Sequence, residues 1–164
     1  MPLIDSVDSF SLRALFRNPI FLSSILSLFI AQGLKAVFYV LGRRRRKTRE
    51  FFEIISWRTG GMPSSHAAVV CSLCTSIGYV EGMTSNLFVF SFWFALVVLR
   101  DAMGVRRSAG LVARALNHLG KQAAEKSGVD FNPVKEVQGH TPLEVFVGGF
   151  LGVFIGVGIH FLNI

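Results

Sequence analysis

Apolar and polar positions along this chain fall into long blocks rather than a short alternation. Four runs are long enough to cross a hydrocarbon core as helices, which takes about 20 residues. They are 19–41 ("PIFLSSILSLFIAQGLKAVFYVL"), 63–80 ("PSSHAAVVCSLCTSIGYV"), 86–104 ("NLFVFSFWFALVVLRDAMG") and 142–162 ("PLEVFVGGFLGVFIGVGIHFL"). Only helices bury that much backbone without leaving its polar groups unpaired. Between and before these runs the pattern changes. Residues 8–18, "DSFSLRALFRN", have apolar positions at helical spacing with Arg13 and Arg17 among them, which suits a short interfacial helix. Residues 50–57, "EFFEIISW", suit another, and 108–127, "SAGLVARALNHLGKQAAEKS", read as an amphipathic helix that lies on the membrane or covers a site. The pattern predicts an all-α polytopic membrane bundle of about four transmembrane helices with interfacial amphipathic helices. It forms one domain over 1–164, with an interfacial segment at 1–18 and a cytoplasmic insertion at 105–139.

Composition supports the membrane reading. The chain is 51% hydrophobic, its mean hydropathy is +0.51, and its net charge is +7. A basic, apolar chain faces an anionic surface or substrate. No nucleic-acid-binding module is visible, and the run "RRRRKTR" at 43–49 lacks interleaved aromatics, so no nucleic-acid partner is expected. The first apolar run follows an acidic and polar stretch and is long enough to span, unlike a cleavable leader. Cys71 and Cys74 are three apart with no second pair to complete a metal site, and read as buried, inert thiols. Gly148, Gly152 and Gly156, four apart, read as a close-packing stripe without chemistry.

The basic residues also set an orientation. The 42–61 and 105–141 connections are rich in Arg and Lys, while 81–85, "EGMTS", has none. The positive-inside rule places the two long connections in the cytoplasm and both termini outside. In that topology Lys35, His66, Arg106, Arg107, His140 and Glu144 all fall at the same membrane face. Unrelated loop residues would scatter over both faces.

Each of these groups has a plain reading beside a chemical one. Lys35 is a snorkelling lysine or an anion clamp. In "GGMPSSH", Pro63 stands where a helix can begin, with Ser64 and Ser65 in its first turn offering backbone N–H groups. This is a simple helix start or a phosphate site at a helix N-terminus. The cap alone does not require His66. Arg106 and Arg107 are membrane anchors or fork-shaped phosphate donors, with Asp101 able to orient one of them. In "GHTPLEVFVGG", Glu144 lies four residues after His140 and reaches its ring across one turn, yet Thr141 to Glu144 is also a capping box. His118 and His160 have no such companions.

Together, "GGMPSSHAA", "DAMGVRRSAG" and "GHTPLEVFVGG" resemble the divergent bacterial and plant branch of the type 2 phosphatidic acid phosphatases, whose superfamily includes the vanadium haloperoxidases. The likeness runs from about residue 25 to the C-terminus. It aligns Lys35 with the superfamily's lysine motif, Pro63-Ser64-Ser65-His66 with its Pro-Ser-Gly-His motif, and His140 with Glu144 with the His–Asp end of its arginine motif. Arg106 or Arg107 would be that motif's arginine. Ser65 stands in place of the usual Gly, Glu144 in place of Asp, and a long insertion separates the arginine from His140. Gly42 stands where an arginine follows the lysine, with Arg43 or Arg58 as substitutes.

The resemblance implies an integral-membrane lipid phosphate or diphosphate phosphatase that needs no metal or other cofactor. His140 is the implied nucleophile, Glu144 its orienting carboxylate and His66 the acid for the leaving oxygen. Lys35, Ser64, Ser65 and Arg106 or Arg107 would hold the phosphate. The expected partners are a lipid phosphate, membrane lipids and a second copy of the chain, because four spans give little lateral wall. The expected location is a bacterial inner membrane or its equivalent, with the site on the cytoplasmic face. Two competitors remain: a non-catalytic lipid-phosphate binder or transporter that retains the pocket, and a scaffold whose basic loops bind anionic lipid.

Overall fold

The computed structural model describes residues 12–42, 61–136 and 139–162. The chain is all-α there, in the order α1 (Leu12–Leu15), α2 (Pro19–Gly42), α3 (Ser65–Val80), α4 (Asn86–Met103), α5 (Val105–Ser127) and α6 (Pro142–Phe161). Windows in three of these elements are long and apolar enough to cross a membrane: Pro19–Phe38, the stretch that begins at Asn86, and Pro142–Phe161. The expected span at 63–80 is shorter than its apolar run, because α3 starts only at Ser65 and has 16 residues. At 1.5 Å per residue it is about 24 Å long, less than the ~30 Å hydrocarbon core.

α3 is the central helix and packs against α6, α2 and α4. Small residues make this possible. Ala67, Ala68, Ser72 and Ser76 of α3 are buried, as are Ser23, Ser27 and Ala31 of α2 and Gly148, Gly152 and Gly156 of α6. Ser23 and Ser76 share a hydrogen bond of 2.6 Å between α2 and α3. The glycine stripe expected for packing serves that purpose. A β-carbon on Gly148 would meet the carbonyl of Ser64, one on Gly152 the carbonyl of Ala68, and one on Gly156 the side chain of Thr75 at 2.9 Å. The bulky apolar residues face outward instead: Phe29, Phe90, Trp93, Phe150 and Phe154 are all exposed. Small residues inside and aromatics outside suit a lipid solvent, in which close van der Waals contact drives helix association.

The insertion folds as α5 followed by a return strap. Its helix begins at Val105 rather than 108, because Gly104 breaks the chain after α4 and caps the new helix. Of the expected interfacial helices, 8–18 is represented by α1 alone. Residues 1–11, the segment 50–57 and the basic run 43–49 lie outside the described residues.

Candidate active site

Separate elements bring the predicted groups to one end of the bundle. Lys35 of α2 is only 5% exposed, and its Nζ donates to Ser65 Oγ at 3.3 Å. A buried ammonium with a hydroxyl partner still has donors to spare, and burying that charge is costly without an anion.

The start of α3 differs from the sequence expectation. Pro63 precedes the helix instead of opening it. Ser64 is the N-cap, its hydroxyl accepting the Ala67 N–H at 3.4 Å. Its own N–H donates to the Glu144 carbonyl at 3.0 Å. Serine is a far better cap than proline, so the boundary moves two residues. Ser64 is thus fully buried with its hydroxyl and amide both engaged; it ties α3 to α6 and has no free N–H to offer a phosphate. Helix geometry instead leaves the amides of Ser65 and His66 without intrahelical partners.

His140 is placed from two sides. Its N–H donates to the Ala102 carbonyl at 3.2 Å, and Gly139 lies so close to the Arg107 backbone that a β-carbon would collide with it. Its Nδ1 sits 3.2 Å from Glu144 Oε2. The same oxygen accepts the Thr141 N–H at 3.0 Å, while Thr141 Oγ1 accepts the Glu144 N–H at 3.3 Å. The helix cap and the His–carboxylate pair, alternatives in the sequence, are one arrangement. An ionised Glu144 selects the tautomer with the proton on Nδ1 and the lone pair on Nε2. That Nε2 is buried and has no hydrogen-bond partner among the described residues. Burial is the main cause holding the His140 imidazole below its usual value of 6.5; the hydrogen bond that Nδ1 donates to Glu144 opposes the shift, and Lys35 and Arg106 add to it. The ring is therefore neutral at neutral pH.

The half-buried His66 ring faces His140, with centroids 6.2 Å apart and planes inclined at 62°. Arg106 stands beside them. Its Nε donates to Asp101 Oδ2 at 2.9 Å, and its charge acts on both imidazoles. The adjacent Arg107 is exposed and contributes its backbone beneath Gly139. Of the remaining histidines, His118 is exposed and His160 stacks on Tyr79 at the opposite end of the bundle, 4.3 Å between centroids. Among the described residues no three His, Cys, Asp or Glu side chains gather as a metal site. Arg43 and Arg58, the substitutes for the missing arginine, lie outside the described residues.

A family model described as "Divergent PAP2 family" matches residues 16–155. The chain belongs to this divergent PAP2 family. A Bacillus subtilis (strain 168) relative, "Uncharacterized membrane protein YuiD", is 35% identical over 151 residues, covering 82% of this chain and 89% of the relative. No solved structure matches. With its apolar helices and a membrane-protein relative, this PAP2-like chain is an integral membrane protein.

Two positioning features of this divergent PAP2 protein escaped the sequence reading. Asn117, buried on α5, donates to the Val134 carbonyl at 2.9 Å and accepts the Val134 N–H at 2.8 Å. It also donates to Glu136 Oε1 at 3.0 Å, and Arg114 approaches the other carboxylate oxygen at 3.4 Å. These bonds, that from Asn117 first, hold the Glu136 carboxyl below its usual range. The strap after α5 is thereby fastened along the helix on its way back to Gly139 and His140. An asparagine on the polar side of an amphipathic helix carries no signal of this in sequence. The second feature is Gln32, which lines a cavity with Ser65 and His66. Its spacing of three from Lys35 was the available clue.

Proposed function

We propose that this protein is a lipid phosphate or diphosphate phosphatase that works through a phosphohistidine and needs no metal. One observation carries the reading: His140 is held on Glu144 through Nδ1, with its buried Nε2 unpartnered and the His66 ring 6.2 Å away. A nitrogen prepared in this way is a nucleophile lacking its electrophile.

In this mechanism the Nε2 lone pair of His140 attacks phosphorus, and the bond from phosphorus to the leaving oxygen breaks. His66 donates a proton to that oxygen. Water then attacks the phosphohistidine with His66 as base; inorganic phosphate leaves and His140 is neutral again. Glu144 stabilises the imidazolium that forms as the N–P bond grows. Lys35, Arg106 and the amides of Ser65 and His66 supply positive potential to the phosphoryl oxygens, the dominant requirement in phosphoryl transfer. Ser64 supports this cradle from behind. The bound phosphate's negative charge favours protonated His66, the form an acid requires. The excess of Arg and Lys in the two long connections supports a cytoplasmic site in this reading.

The test is phosphate release by purified protein from phosphatidic acid, phosphatidylglycerophosphate and polyprenyl diphosphate, with EDTA present. Release that disappears in His140→Ala and falls about 10²- to 10⁴-fold in His66→Ala supports the proposal. Unchanged turnover in folded His140→Ala would falsify it, and binding without release would make the protein a lipid-phosphate binder.

A further inference from the structure

Behind the His66 ring lies a cavity of about 360 Å³, within the ~300–1,000 Å³ typical of small-molecule sites. Its walls come from α2, α3 and α4, and their register gives its direction. On α2, Gln32 lies one turn beyond Lys35 and Leu28 two turns beyond. On α4, the Ala102 carbonyl marks the level of His140; Val98 lies one turn further in and Phe94 two. On α3, Ser65 and His66 are at the mouth and Val69 is a turn below. The cavity therefore descends from the candidate phosphate site along the helix axes for about 10 Å, the rise of seven residues. A headgroup has no use for such a shape, but a lipid chain does.

Below its mouth the wall is apolar except at Gln32. Its Oε1 is buried and has no hydrogen-bond partner among the described residues. An unpartnered amide oxygen is an acceptor for a hydroxyl or N–H, and with the carboxamide turned over its NH2 would be a donor for an ester carbonyl. It lies about 5 Å, one turn, below the level of Lys35. In a glycerol- or amide-linked lipid phosphate, polar groups occupy the first few bonds behind the phosphate. In a polyprenyl phosphate, hydrocarbon begins at the first carbon and would leave the amide unpaired.

We propose that this cavity is a slot for one chain of a lipid phosphate with a polar linkage, and that Gln32 selects such lipids over polyprenyl phosphates by hydrogen-bonding the linkage. This rests on the lipid-phosphate reading of the site. Gln32 touches the substrate behind the reacting atoms and determines specificity, while His140 and His66 carry out the chemistry.

The experiment compares kcat/KM for dioleoyl phosphatidic acid and farnesyl phosphate in wild-type and Gln32→Leu protein, in the same detergent. Wild-type protein should prefer the glycerol-linked lipid. Gln32→Leu should reduce that preference about tenfold, through loss on phosphatidic acid with farnesyl phosphate retained or improved. A merely structural role would lower both together and leave the ratio intact, overturning the proposal, as would a wild-type preference for farnesyl phosphate. If wild-type protein hydrolyses neither lipid, the phosphatase reading falls by itself. Equilibrium binding of the same two lipids to both proteins, followed by native mass spectrometry, then decides the slot: a phosphatidic acid preference that disappears in Gln32→Leu supports it, and equal binding sinks it.

Discussion

The carbonyl of Ser64 occupies the space that a β-carbon on Gly148 would need. The same residue, through its N–H, hydrogen-bonds the Glu144 carbonyl at 3.0 Å. The helix carrying His66 and the helix that follows His140 are thus locked together at backbone distance, immediately behind the two imidazoles. The 6.2 Å ring separation is a product of glycine packing as much as of the histidines themselves.

Glycine substitutions on α6 should therefore separate by position. Gly152→Ala places a methyl group against the Ala68 carbonyl, whereas Gly158→Ala enters open space. Overpacking of this kind costs about 1–3 kcal/mol. Thermal unfolding in detergent should show a clear loss for Gly152→Ala and none for Gly158→Ala. Equal melting temperatures for the two would contradict the close packing of α3 on α6.

The pH dependence should reveal His140. The nucleophile must be neutral, and burial holds its titration below 6.5. The acid limb of the activity profile should therefore lie below that value, where His140 takes up a proton. Glu144 opposes the shift. Glu144→Gln should therefore move the acid limb to still lower pH, while turnover at neutral pH falls about 10²-fold or more because the tautomer and its charge partner are lost. An acid limb that moves upward in Glu144→Gln would count against the assignment.

Lys35 distinguishes a structural cation from a functional one. Its charge is buried, with a serine hydroxyl as its hydrogen-bond partner among the described residues. Removing it relieves desolvation, so Lys35→Met should unfold at the same temperature as the wild type or higher. Phosphate release should nevertheless fall about 10²- to 10³-fold, the size expected when a charge aimed at the transition state is lost. A destabilised Lys35→Met protein with normal turnover would make Lys35 a packing residue.

Much of this arrangement was readable in sequence, and the parts that were not have physical reasons. Hydropathy located the spans because each side chain in lipid answers to one solvent. Topology then brought Lys35, His66 and His140 to one end without any contact having to be known. Between a plain helix start and an anion site at Ser64 the sequence does not choose, because it does not show which group meets an N–H, and here the group belongs to Glu144, eighty residues away. The choice between Arg106 and Arg107 was equally hidden: neighbours on a helix point about 100° apart, and the direction depends on the break at Gly104. The strap after Gly128 has no hydrophobic period, so its attachment to Asn117 left no trace.

That attachment makes its own prediction. Asn117→Ala leaves the Val134 N–H and carbonyl without their side-chain partner and removes the main hydrogen bond to Glu136. Hydrogen exchange should accelerate over residues 128–136 while the core helices stay protected. Because the Glu136 carboxyl is held below its usual range, its share of the fastening is present at neutral pH and is lost as pH falls through that lowered value. Protection factors in the wild-type strap, exchange normalised to the intrinsic rate at each pH, should therefore fall in acid. Unaltered strap protection in Asn117→Ala would mean that the loop is held by something else.

The two arginines give the sharpest comparison because they are adjacent and chemically identical. Arg106 is oriented by Asp101 at 2.9 Å and its charge reaches both histidines; Arg107 supports Gly139 through its backbone, which any residue supplies. Arg106→Ala should lower kcat/KM for a lipid phosphate about 10- to 10²-fold, less than Lys35→Met because water screens an exposed guanidinium. Asp101→Asn should reproduce part of that loss by releasing the guanidinium from its orientation. Arg107→Ala should stay within about twofold of wild type, because the backbone that meets Gly139 is kept and only an exposed side chain is lost. Equal losses from both alanines would reduce the arginine effect to general attraction between a basic surface and an anionic substrate. High salt would then abolish the difference from wild type in both variants, whereas a specific Arg106 contact inside the site persists through screening.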